Sequence, residues 1–321
     1  MSSHVDSRVN DKFLKWLEHK YGEHGKVKVT RGKVHEFLGM SFDFCTKGKL
    51  KVDMSKYMKK MYEDFEQKYA LKNAAVSPAA NDLFANDEKS PKLDDEMRED
   101  FHTYTARGLF ACKRARPDTA TAISVLSTRV RSPSVDDWQK LLRYMQYVKR
   151  TWKDVLTLSA DSLNVVKWYV DASFAVHPDF RSHTGSVMTM GEGAMQSNSS
   201  KQKLNTRSST GSELVGCDDS ITKILWTRWF IEAQGYRIRE NILYQDNKST
   251  ILLITNGRKS AGKRSRAINI RYFFVADQQQ KGFISAQYCP TKKMWADPLT
   301  KPLQGSEFKL GADRLMGRTT D

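Results

Sequence analysis

Between Val165 and Ser173 the chain reads Val-Val-Lys-Trp-Tyr-Val-Asp-Ala-Ser. β-Branched and aromatic residues dominate, and Val166, Trp168 and Val170 alternate with Lys167, Tyr169 and Asp171. That period of two predicts a strand, and its apolarity places it inside a sheet rather than at an edge. Downstream the pattern predicts further strands over 186–190, 194–197, 240–245 and 284–289. A long helix over 210–234 carries Leu214, Cys217, Ile221, Ile224, Leu225 and Trp229 on one apolar stripe and ends at Gly235. A short helix follows over 248–255, and Asp297-Pro298 opens a last one. Three strands, helix, strand, helix, strand, helix is the order of an α/β fold: a mixed five-stranded sheet with helices on both faces.

The preceding half is patterned differently. Leu14, Leu17 and Tyr21 recur at helical spacing over 9–21, and Gly22 to Gly25 closes that helix. A short strand over 26–30, a strand over 35–44, a turn at Lys47-Gly48-Lys49 and a return strand over 50–54 precede a helix over 56–69 capped by Ser55. As a hairpin without sheet partners, 37–54 would leave an open edge. Residues 75–94 are polar, with Pro78 and Pro91, and mark a boundary. From 95 to 150 the pattern is helical, broken at Arg116-Pro117-Asp118 and reopened after Pro133, with Trp138, Leu141, Leu142, Met145 and Val148 on one face. Three segments result: 1–74, 75–160 and 161–321.

The net charge is +16, and residues 161–321 carry half of it. A basic excess spread over both halves suits a polyanion partner. Cys45, Cys112, Cys217 and Cys289 are scattered, which reads as reduced thiols in an intracellular, cytoplasmic or nuclear, protein. The N-terminus is no signal peptide, and no apolar run is long enough to span a membrane.

Four acids at element boundaries are the candidate chemistry: Asp171, Glu213, Asp246 and Asp297. Each also has a purely structural reading. Asp171 could open a turn with Ser173, Thr210-x-x-Glu213 fits a capping box, Asp246 could cap the helix near Lys248, and Asp297 before Pro298 suits an N-cap. What distinguishes them is their order: strand Asp, helix-start Glu, strand-end Asp, helix-start Asp.

That order, with its flanking words, resembles the ribonuclease H domain at the end of copia-type LTR retrotransposon polyproteins. The matching segments are Trp168-Tyr169-Val170-Asp171-Ala172, Lys201-Gln202-Lys203, Ser208-Ser209-Thr210 with Glu213, Asp246-Asn247-Lys248-Ser249, Ile270-Arg271-Tyr272-Phe273-Phe274, and Ala296-Asp297 followed by Leu299-Thr300-Lys301-Pro302-Leu303. Phe37-Leu38-Gly39-Met40 and the hairpin and helix after it resemble the end of the reverse transcriptase palm and the start of its thumb. Arg116-Pro117-Asp118 and the helix ending Tyr144-Met145-Gln146-Tyr147 resemble the connection between the two enzymes.

The resemblance implies a ribonuclease H-like fold for 161–321, behind a palm/thumb remnant (1–74) and a linker with helical connection (75–160). The first and fourth strands of that fold are neighbours, which would join Asp171 to Asp246 with Glu213 facing them. It implies that the four acids are both the catalytic residues and the ligands of two magnesium ions, with manganese as a substitute, about 4 Å apart. The activity implied is endonucleolytic hydrolysis of the RNA strand of an RNA/DNA hybrid. Lys201, Lys203, Arg207, Lys263, Arg264 and Arg266, with Lys259, would form the rail for the hybrid, and Lys113, Arg114, Arg116, Arg143, Lys149 and Arg150 offer further contacts. Partners are the hybrid and the missing polymerase portion, with no membrane. Two departures stand out. Ala267 occupies the position of the family's usual His, from which slower turnover is expected. The palm's Tyr-x-Asp-Asp strand has no counterpart, so DNA synthesis is not expected and the chain reads as a fragment or a processed piece. The alternative function is a catalytically impaired nucleic-acid-binding remnant.

Overall fold

The computed structural model describes residues 4–257 and 271–318. The N-terminal helix α1 (Ser7–Tyr21) is capped by the Asp6 carboxylate, which accepts from Arg8 N, and buries none of its residues. Residues 26–30, expected as a strand, form no regular element. The strand expected over 35–44 is two strands, β1 (Val34–Phe37) and β2 (Met40–Asp43), paired antiparallel. Leu38 (φ 51°) and Gly39 (φ 75°) both take left-handed backbone between them. Two such residues make the hairpin turn whose twist matches that of the flanking strands.

The return strand is β3 (Lys49–Asp53), and helix α2 (Ser55–Lys68) follows it. Ser55 is not its cap. The cap position is Met54, without a side-chain bond, and the Asp53 carboxylate accepts from Ser55 N at 2.6 Å. Residues 75–94 carry neither a helix nor a strand, yet they are packed: Ser77, Ala79, Leu83 and Phe84 are buried. Gln304 ties the segment to the C-terminal region, donating to Ala79 O at 2.8 Å and accepting from Ser77 Oγ at 2.9 Å.

Helices α3 (Asp95–Cys112), α4 (Ala120–Ser127) and α5 (Val135–Thr151) fall where the helical pattern and its break at Pro117 put them. A reciprocal Ser134–Asp137 capping box starts α5. Met58, Met61 and Phe65 of α2 share one core with Phe101, Trp138 and Leu141. Burial of such side chains contributes roughly 1.5–3 kcal/mol each. Strand β4 (Leu156–Ser159) comes next and pairs with β3, pairing Leu50 with Leu158. One open edge expected of the hairpin is thereby closed, and β1 and β4 are the outer strands.

The remaining elements are β5 (Val165–Ser173), β6 (His183–Thr189), β7 (Gln196–Lys201), α6 (Ser209–Ala233), β8 (Glu240–Gln245), α7 (Lys248–Asn256), α8 (Arg271–Gln280), β9 (Ser285–Tyr288) and α9 (Gly305–Met316). They form a mixed five-stranded sheet in the order β7-β6-β5-β8-β9, with β5 central, antiparallel to β6 and parallel to β8. Leu214, Cys217, Ile221, Ile224 and Leu225 of α6 pack on Val166, Trp168 and Val170. Trp229, assigned to that stripe from sequence, is 52% exposed instead. The outer edge at β7 is covered by α4, whose Ser124 hydroxyl donates to Ser199 O at 2.8 Å. Asp297 does not start the last helix. It begins a short 3-10 turn, Asp297–Leu299, and α9 starts at Gly305. No described helix is long and apolar enough to cross a membrane.

Candidate metal centre

Asp171 lies inside β5, not at a turn, and is 3% exposed. Its partner across β6 is Gly185. A Cβ at Gly185 would come within 2.6 Å of Thr300 Cγ2 and 2.8 Å of Leu299 Cβ. The missing side chain is therefore what lets the Asp297–Leu299 turn settle onto the sheet. Through that approach the Thr300 hydroxyl donates to Asp171 Oδ2, and Lys301 Nζ reaches the same oxygen at 3.4 Å.

Glu213 sits in the first turns of α6 and is buried. It is not part of a capping box: the helix is capped by Ser208, whose hydroxyl accepts from Gly211 N. Asp246 follows β8 and is half-buried, and it is no cap either, because Asn247 accepts from Thr250 N at 3.1 Å and caps α7. Freed of these roles, the two carboxylates meet Asp171. One carboxyl oxygen from each of the three lies within 4.8 Å of the others. The parallel pairing of β5 with β8, which sets Tyr169 opposite Tyr244, brings the two strand ends side by side.

The electrostatics are unbalanced. Burial first, then the charges of Asp171 and Asp246, push Glu213 up to about 9. Asp297 reaches the group through Lys301, whose ammonium lies 2.5 Å from Asp297 Oδ1 as well as 3.4 Å from Asp171 Oδ2. Burial raises Asp297 to about 6 despite its bond to Lys301. Desolvation works to lower Lys301, and the charges of Asp171 and Asp297 outweigh it and raise it. Like charges confined this closely call for a cation or a proton, and three converging carboxylates are the oxygen donor set of a hard divalent ion.

Sequence reasoning assigned no role to three residues of the site. Gln245 is buried, donates to Glu213 Oε2 at 3.1 Å and to Val170 O at 3.3 Å, and accepts from Asp246 N at 2.9 Å. Thr300 and Lys301 hold Asp171. Their signal was adjacency alone: Gln245 precedes Asp246, and Thr300-Lys301 closes the segment that begins at Asp297.

Of the basic residues, Lys201 is paired with Asp179 at 2.7 Å, while Lys203 and Arg207 are exposed between β7 and α6. Lys259, Lys263, Arg264, Arg266 and Ala267 lie outside the described residues. Arg116, offered as a surface contact, is instead buried against Asp118 at 2.7 Å.

The chain is similar to Pol polyproteins of retrotransposons. It is 26% identical over 285 residues to the retrovirus-related Pol polyprotein from transposon TNT 1-94 of Nicotiana tabacum, an alignment covering 87% of this chain and 21% of that polyprotein. It is 28% identical over 202 residues to the Pol polyprotein from transposon RE1 of Arabidopsis thaliana, covering 62% and 14% of the two chains. With the transposon Ty1-JR2 Gag-Pol polyprotein of Saccharomyces cerevisiae the identity is 23% over 280 residues, covering 81% and 16%. The chain thus spans about a fifth or less of the length of these relatives. No family model matches it.

Proposed function

We propose that residues 161–321 form a ribonuclease H-like domain that cleaves the RNA strand of an RNA/DNA hybrid, as part of a copia-type retrotransposon polyprotein. The observation that carries this reading is the convergence of Asp171, Glu213 and Asp246 within 4.8 Å at the ends of two adjacent parallel strands. Asp171, Glu213, Asp246 and Asp297 are the residues that would hold magnesium or manganese, which when bound supplies water activation and stabilisation of the leaving oxygen in phosphodiester hydrolysis. Gln245 orients the Glu213 carboxylate and ties it to the backbone that carries Asp246. Thr300 fixes the rotamer of Asp171 through its hydroxyl. Lys301 balances the Asp171 and Asp297 carboxylates.

In the same reading, residues 1–74 derive from the palm and thumb of a reverse transcriptase and residues 75–160 from the linker and connection. Lys203 and Arg207 then take phosphates of the hybrid beside the N-terminus of α6. A gel assay on an end-labelled RNA/DNA hybrid tests the proposal. Cleavage products with magnesium, absent with chelator and absent for Asp171→Asn, are expected. Binding of the hybrid with no cleavage under any divalent ion would return the chain to the class of nucleic-acid-binding remnants.

A further inference from the structure

Lys113 and Arg114 follow α3 and open onto a cavity of about 140 Å³ that Gln196 and Ser197 of β7 also line. None of the four carboxylates lines it. Arg114 is held in advance: its guanidinium carbon lies 3.5 Å from the centre of the Phe110 ring, and it donates to Phe110 O at 3.0 Å. Lys113 Nζ rests on a neutral acceptor, Asn198 Oδ1, at 3.4 Å.

The outer face of α6 continues this basic spot. Lys223, Trp226 and Phe230 follow one another at spacings of three and four, so they share a stripe, and the buried Thr227 lies beside it. Gln196 Nε2 donates to Thr227 Oγ1 at 3.3 Å and joins that stripe to the cavity rim. Desolvation and, second, the like charge of Lys113 hold the Lys223 ammonium below its usual pKa, against a smaller opposing pull from Asp219. Beside the lysines, Trp226 and Phe230 are 54% and 46% exposed, and their rings stack with centroids 4.9 Å apart.

We propose that Lys113 and Lys223, with Arg114 and the Trp226–Phe230 pair, form a second nucleic-acid contact that holds a single strand. Two ammonium groups from different elements, joined through Asn198 beside Lys113 and the Gln196–Thr227 bond beside Lys223, are satisfied by a backbone phosphate. Stacked aromatic rings open to solvent beside them are a platform for unpaired bases, whereas a duplex keeps its base faces to itself. At 1.5 Å per residue the strip begins about 15 Å along α6 from Glu213 and ends about 25 Å from it. A strand leaving a hybrid bound at the acids is thus within reach of it. The partner class rests on the nuclease reading; the binding itself does not need hydrolysis.

The test is fluorescence anisotropy of a labelled 20-nucleotide DNA single strand on the full chain across a salt series. For K113Q/K223Q, affinity at low salt is expected to fall about tenfold and the log–log salt slope to shrink by about one unit. For W226A, affinity should fall at least fivefold, as loss of a stacked base predicts, with the slope unchanged. Both variants alter exposed side chains, and thermal melts check their folding. Wild-type affinity and slope in both variants overturn the proposal. So does a W226A chain that changes its sedimentation but not its oligonucleotide binding, which would assign the aromatic pair to protein association. Cleavage of a blunt hybrid, measured in parallel, keeps the two readings apart. If the chain never cleaves yet K113Q/K223Q still loses the strand, the nuclease reading fails and this one stands.

Discussion

Among the described residues, two groups of buried charges contrast, one among the helices around α5 and one at the end of β5. In the first, the Arg116 guanidinium donates to both oxygens of Asp118 at 2.9 and 2.7 Å, and to the carbonyl and hydroxyl of Thr151. Tyr147 closes the remaining side of Asp118 at 2.7 Å. Burial alone would raise Asp118, but Arg116 outweighs it and holds the carboxyl low. In the second, three carboxylates share a small space, Lys301 answers only on the Asp171–Asp297 side, and Glu213 is driven up. The first group is complete and joins helices. In the second, no described cation meets Glu213, and a proton or a metal ion would answer its charge. Burial of charge therefore does not mark a site; an unanswered sign does.

The sharpest break of that contrast is Asp171→Asn. Hydrolysis of a labelled hybrid should fall by roughly a thousandfold or more, the several kcal/mol that charge stabilisation of the transition state supplies. The folded chain should be no less stable by urea unfolding, because a repulsive charge has gone. Arg116→Ala makes the opposite change, turning the paired group into an unanswered one. It should cost about 3–5 kcal/mol in urea unfolding; a loss under 1 kcal/mol would show that water or a neighbour replaces the guanidinium.

Magnesium itself is the next probe. At a concentration about a hundredfold above its dissociation constant it should stabilise the parent by about 2.7 kcal/mol, read as a rise in melting temperature. Glu213→Gln should lose most of that rise, and Arg116→Ala should keep it. Gln245→Ala leaves all four acids in place and removes the bond that orients Glu213. A drop of about 10–100-fold in magnesium affinity or cleavage is expected, and an unchanged rate would show that Glu213 needs no orienting bond.

The last effect concerns a third buried set, kept neutral rather than paired. His177 Nε2 and His183 Nδ1 are 3.0 Å apart, and His183 Nε2 lies 2.7 Å from Ser199 Oγ. Burial lowers the pair from 6.5 to about 4 and about 3. Folded values below the unfolded one mean that the neutral pair's contribution is fully present above about pH 6.5. It is lost as the pH falls towards the folded values, by up to about 1.4 kcal/mol per imidazole for each pH unit. Urea midpoints at pH 7 and pH 5 should separate accordingly, and H177Q/H183Q should remove that part of the difference.

Local pattern made much of the architecture legible. Alternation over 165–173 named β5, the apolar stripe named α6, and the chain order of elements matched the mixed sheet, because backbone hydrogen bonding and one-sided burial impose periods that a sequence cannot hide. The boundaries and caps were less legible. Ser55, Thr210, Asp246 and Asp297 are all residue types that cap helices, yet Ser208 and Asn247 cap α6 and α7. Which of two neighbouring polar residues caps a helix depends on a difference of one residue in where the backbone turns.

The sequence by itself made legible the strand over 165–173 and the helix over 210–234, found at Val165–Ser173 and Ser209–Ala233, since each follows from residues close together in the chain. The tertiary structure alone decided which charges are answered. Thr300 meets Asp171 across 129 residues of chain, Lys301 stands between two acids from different elements, Arg116 disappears into a closed pair, and β4 returns to complete a sheet begun at Val34. Periodicity is a property of neighbours along the chain. Charge compensation acts over a few ångströms of space, and only folding sets which distant residues come that close.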